Sequence, residues 1–107
     1  MTQSFAWLYL MLAIFAEVAG TTSMKLSQGF ANLKPSIFIF IFYLLSLVFL
    51  SLSLKRLEIG FAYAIWSGLG TLLIFFIGTL WFQEPITLLK TFSLFCIIAG
   101  VVGLKSA

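Results

Sequence analysis

Four long apolar stretches, separated by short polar ones, organise the 107 residues of this chain. From Phe5 to Met24 the only charged side chain is Glu17, from Ser36 to Leu54 there is none, and Gly60 to Gln83 is again uncharged. A last run from Thr91 to Leu104 follows. The breaks carry the residues that end helices and turn the chain: Lys25 and Ser27 through Pro35, then Lys55, Arg56 and Glu58 with Gly60, then Glu84-Pro85. A helix of about 20 mostly apolar residues crosses a bilayer. The pattern therefore predicts a single four-helix transmembrane domain over residues 1–107, with helices at approximately 4–25, 36–54, 60–82 and 86–105. The uncharged part of the fourth run is short, so that helix either starts near Ile86 with Lys90 snorkelling to the interface or sits in a locally thinned bilayer. The first run opens on Met1-Thr2-Gln3-Ser4 without a basic segment and is interrupted by a carboxylate, which reads as a retained helix and not a cleaved leader.

Composition sharpens the picture. The chain is 63% hydrophobic and 8% charged, against about 25% charged in soluble domains. The expected fold class is an all-α membrane protein, and four crossings leave too few of these residues for a water-soluble catalytic lobe to be expected. It has no His and no Asp, and its acids are Glu17, Glu58 and Glu84. Serine triads, His-based metal sites and Asp dyads are excluded. No G-x-x-x-x-G-K-[ST] phosphate loop occurs, so work must draw on an ion gradient. The expectation is a protein that is not an enzyme and holds no cofactor or metal. Cys96 stands alone in an apolar run and is expected to be a small buried hydrophobe.

Cationic residues in short loops accumulate on the cytoplasmic side. Four crossings put Lys55, Arg56 and Lys105 at one face and Lys25, Lys34 and Lys90 at the other, three against three. Such a balance favours insertion in both orientations, so that two opposite copies can pair as an antiparallel homodimer. One orientation fixed by features outside the charge rule is the competing reading.

Glu17 is the main candidate for chemistry. An ionised carboxylate inside a membrane helix costs several kcal/mol, which marks such an acid as functional by default. Its neighbours at helical spacing are Leu10, Ala13, Ile14, Gly20, Thr21 and Met24, a face with room beside the acid. A carboxylate in low dielectric binds either a proton or an organic cation, and that competition suffices for exchange if the site opens to one side at a time. Interhelical hydrogen-bonding glue is the structural alternative. Trp7, Tyr43, Tyr63 and Trp66 are aromatics whose faces attract a desolvated cation. Trp7 also fits an interfacial belt position. Gly68 and Gly70 serve either as a helix hinge or as sites of close packing. Ser93, Gly100 and Gly103 form a small-residue seam suited to helix association.

The run Glu17-Val18-Ala19-Gly20-Thr21-Thr22-Ser23-Met24-Lys25, with Gly29-Phe30, Pro35-Ser36 and Gly60-Phe61-Ala62-Tyr63-Ala64-Ile65-Trp66-Ser67-Gly68-Leu69-Gly70, resembles the small multidrug resistance family over essentially the whole chain. The resemblance implies a proton-coupled antiporter of the bacterial cell inner membrane, working as an antiparallel dimer. Carried over by position, Glu17 binds protons and substrate in turn. Trp66, Tyr63, Tyr43, Trp7, Ala13, Ser46 and Thr21 then belong to the substrate pocket, and Ser93 and Gly100 to the dimer contact. Gly20 stands where guanidinium exporters of the family carry Trp, which points to the branch that exports lipophilic and quaternary ammonium cations. Glu58, Trp7 and Ser93 depart from the family pattern, where Pro, Tyr and Gly are common. The alternatives are a guanidinium or polyamine exporter, one form of which pairs with a sister chain, and a non-transporting membrane assembly protein. The implied partners are organic cations, protons, the lipid bilayer and a second copy of the chain, with no nucleic acid.

Overall fold

The computed structural model describes residues 3–106 and contains helices and turns but no strand among them. The helices are α1 (Gln3–Ser27), α2 (Leu33–Ser53), α3 (Ile59–Leu80) and α4 (Leu88–Ser106). Each has 19 residues or more, and at a rise of about 1.5 Å per residue such helices span the roughly 30 Å of a hydrocarbon core. All four are apolar enough to do so. The chain is a multi-pass membrane protein.

The observed boundaries differ from the predicted ones by a few residues, for local reasons. α2 begins at Leu33, so Pro35 lies within its first turn, where a missing N–H is tolerated. The α1–α2 turn is tight, with Gln28, Gly29 and Phe30 all at positive φ (51°, 70° and 67°). Side chains hold it. Asn32 Nδ2 donates to Leu26 O at 2.9 Å and the Asn32 amide to Ser27 O at 3.0 Å, which satisfies carbonyls at the α1 C-terminus. Asn32 thus caps the preceding helix, and its side chain makes no N-cap bond to α2. α4 starts at Leu88, with the Lys90 amide bonded to Thr87 Oγ1 at 3.1 Å. The Lys90 ammonium turns back to donate to Pro85 O at 2.8 Å, the geometry of a snorkelling lysine.

In space the order is α2, α1, α3, α4: α1 lies against both α2 and α3, α4 lies against α3, and α2 touches α3 only slightly. The assembly is a slab of 40 × 35 × 16 Å. Ala6, Leu10, Ala13, Ile14 and Val18 form the buried stripe of α1, meeting Ala62 and Ile65 of α3 and Leu50 of α2. Their spacing of three or four is one face of a helix. Buried hydroxyls mostly bond to carbonyls of their own helix, as Thr22 does to Val18 O and Ser53 to Leu50 O.

α4 has no buried residue, and Cys96 is exposed on it. That corrects the expectation of a buried cysteine. A helix with one neighbour presents most of its circumference outward, and in a bilayer an apolar side chain is as well placed against lipid as against protein. The same holds for the outward Phe15, Phe40, Leu44, Phe92 and Phe95.

Candidate functional site

The site is built where α1 meets α2 and α3 around Glu17, which is half-buried. One carboxylate oxygen, Oε1, accepts a hydrogen bond from Thr21 Oγ1 at 2.9 Å, one helical turn on. The other, Oε2, is buried with no hydrogen-bond partner among the described residues. It lies against Gly70 of α3, where a Cβ would stand 2.6 Å from it. Any side chain at position 70 would push the carboxylate away, so glycine here makes room for the acid.

A second glycine does the same for the aromatic neighbour. Gly20 packs against the Tyr43 ring, and a Cβ at position 20 would stand 2.6 Å from ring carbon Cδ2. This approach lets the Tyr43 hydroxyl form a short hydrogen bond with the Thr21 hydroxyl. A continuous chain therefore links Tyr43 of α2, Thr21 and Glu17. Because Thr21 donates to the carboxylate, the Tyr43 hydroxyl must donate to Thr21 whenever Glu17 is ionised.

A second polar link lies toward the other end of the helices. Trp66 Nε1 of α3 donates to Ser46 Oγ at 3.1 Å, and Ser46 Oγ donates to Ala13 O of α1 at 2.8 Å. Ser46 and Ala13 are fully buried. One serine thus ties three helices and anchors the indole N–H at the level of Ala13, one turn before Glu17. Tyr63 stands beside Trp66, ring centroids 5.4 Å apart, and is 57% exposed.

The structure thus gathers Glu17, Thr21, Tyr43, Ala13, Ser46, Trp66 and Tyr63 along one side of α1. Trp7 stands apart, packing edge-on against Phe61 at 5.7 Å with the Lys105 ammonium 5.8 Å over its ring. α3 runs unbroken from Ile59 to Leu80 through Gly68 and Gly70. Both are points of close approach, Gly70 to Glu17 and Gly68 to Val101 of α4, 2.9 Å from a built Cβ. On α4, Ser93 is exposed and bonds to Leu89 O, while Gly100 has nothing within 4 Å of a built Cβ.

A family profile described as Small Multidrug Resistance protein matches residues 5–97, which include the whole constellation around Glu17. This chain belongs to the small multidrug resistance family. Among its relatives, the uncharacterized membrane protein YvaE of Bacillus subtilis is 53% identical over 99 residues, 92% of this chain and 83% of that protein. The multidrug resistance protein EbrB of Bacillus subtilis is 46% identical over 100 residues, 94% of this chain and 86% of its own. The multidrug resistance protein EbrA of Bacillus licheniformis is 38% identical over 96 residues, covering 90% and 91%.

For this small multidrug resistance protein, reading the sequence missed the pairing of Lys25 with Glu84, 3.8 Å apart, and the place of Phe82 beside them. The signal was available: four alternating crossings bring the α1–α2 and α3–α4 connections to one face. The roles of Gly20 and Gly70 had no such signal, because a glycine in a sequence does not say which side chain will approach it.

Proposed function

We propose that the protein is a proton-coupled antiporter that exports lipophilic and quaternary ammonium cations across the bacterial cell inner membrane. Protons and substrate compete for Glu17. The observation that carries this reading is the divided state of that carboxylate, with Oε1 held by Thr21 and Oε2 buried, unpartnered and aimed between helices. A buried carboxylate oxygen without a donor is costly. Two occupants relieve it: a proton, or a cation brought into the low-dielectric space beside it. Tyr43, Tyr63 and Trp66 supply ring faces for the second.

Drug export is the coarse role that the family and the names EbrA and EbrB support. The finer choice rests on Gly20. A Trp in its place would collide with the Tyr43 ring, so the contact that orders Tyr43, Thr21 and Glu17 is incompatible with the pattern of guanidinium exporters. The working unit in this reading is an antiparallel homodimer, the outward face of α4 at Ser93 and Gly100 forming the contact. The balanced charges at the two ends support it.

The test is transport by the purified protein in liposomes. An imposed pH gradient should drive accumulation of tetraphenylphosphonium against its own gradient, and Glu17→Gln should abolish it. Accumulation that survives in the variant overturns the mechanism. Proton leak without cation movement identifies a pore instead.

A further inference from the structure

At the end of α1 beyond Thr21, a crevice of about 160 Å³ opens between α1 and α3. Its lining includes Thr21, Lys25, Gly78, Phe82 and Glu84. One turn of α1 separates Glu17 from Thr21 and another separates Thr21 from Lys25, so the crevice leads along a single helix face from the loop side to the donor of Glu17.

Its outer end is an acid and a ring. The chain after α3 folds back so that the Glu84 amide donates to Gly78 O at 2.9 Å, with Gln83 at φ 55°. The Glu84 carboxylate then lies on Gly78, whose missing side chain is a requirement: a Cβ there would overlap the carboxylate. The Phe82 ring stands alongside. Between them sits a cation that the protein itself provides, the Lys25 ammonium, 3.8 Å from Glu84 Oε2 and 5.9 Å from the Phe82 ring centroid.

We propose that Glu84 and Phe82 form an outer binding site for quaternary ammonium headgroups, one helical turn from the Glu17–Thr21 pair, and that Lys25 is its tethered resident cation. The pairing of a carboxylate with an aromatic face is the chemistry that recognises such headgroups. A crevice of this volume admits a small one. Lys25 and Glu84 are 60% and 50% exposed, and exposed pairs of this kind are weak, so an arriving cation displaces the ammonium readily. The site collects substrate at the crevice mouth and passes it toward Glu17. Its choice of substrate class rests on the antiporter reading above, but its existence is tested without Glu17.

The experiment places a single 4-fluorophenylalanine at position 82 in Glu17→Gln protein and follows its fluorine resonance during titration with tetramethylammonium chloride, against sodium chloride at equal ionic strength. The expected result is a saturable shift with tetramethylammonium only. It should tighten several-fold on adding Lys25→Met, disappear on adding Glu84→Gln and stay unchanged on adding Lys34→Met, which removes a charge at the start of α2 that does not line the crevice. No saturable shift in the Lys25→Met protein overturns the proposal. So does a shift that persists in Glu84→Gln, or equal tightening by Lys34→Met, which would reduce the effect to surface charge. Since every protein in the series lacks the Glu17 carboxylate, failure here leaves the antiport mechanism standing, and failure of antiport leaves this result readable.

Discussion

The hydroxyl of Thr21 has two jobs that a single substitution separates from the fold. It donates to Glu17 at 2.9 Å and bonds the Tyr43 hydroxyl, and a hydrogen bond to an ionised partner is worth about 1.5–3 kcal/mol. Thr21→Val keeps the shape and removes the donor. We expect tetraphenylphosphonium affinity, measured by titration calorimetry, to fall by about tenfold or more, with helical content by circular dichroism unchanged. Gly70→Ala acts on the other oxygen. Its methyl would stand 2.6 Å from Oε2 and must displace the carboxylate, so cation binding should weaken beyond the Thr21→Val effect. Unchanged affinity in both variants would leave Glu17 as interhelical glue. Glu17 itself was legible from the sequence, since a lone acid among apolar residues has no bland position to occupy. Thr21 was legible too, one turn further along α1, but Gly70 was not: all of α2 and two connections separate it from Thr21 in the chain, and only the packing of α3 on α1 brings it to the carboxylate.

At the scale of elements, α1 is the axis of the protomer, and its contact with α2 depends on Gly20 beneath the Tyr43 ring. Overpacking of that kind costs about 1–3 kcal/mol. Gly20→Ala should lower the midpoint of unfolding in sodium dodecyl sulfate and loosen Tyr43, while Gly100→Ala, with nothing within 4 Å, leaves the protomer's stability alone. A large side chain at Gly100 tests the proposed dimer contact. Gly100→Trp should reduce chemical crosslinking to a second copy without loss of helix, and undiminished crosslinking would move the contact elsewhere. The helices themselves were readable because charge punctuates them. Their order in space was not, for a physical reason: α2 and α4 carry apolar side chains around most of their circumference, and lipid and protein interior are equally apolar, so the hydrophobic pattern does not mark the face that meets protein. The exposed Cys96 is the plain instance.

For the whole molecule, the cationic ends define what insertion can do. Lys25 meets Glu84 at the end where Lys90 bonds to the α3–α4 loop, and Lys105 covers Trp7 at the opposite end. The three-against-three division read from the sequence thus coincides with two real faces of the slab. Replacing Lys34 and Lys90 by Ser leaves Lys25 alone against Lys55, Arg56 and Lys105, and the excess side should become cytoplasmic. A C-terminal topology reporter should change from mixed to single orientation. Export by this variant alone should be lost and then restored by co-expressing a chain with the opposite bias, if the antiparallel pair is the working unit. Export by the biased chain alone would contradict that assembly.

Exchange of a cation and a proton on one carboxylate is read from the pH change when tetraphenylphosphonium is added to the purified, weakly buffered protein. The native chain should release protons, at a pH where Glu17 is protonated, and Glu17→Gln should release none. Cation binding without proton release under those conditions, or equal release by the variant, would contradict it.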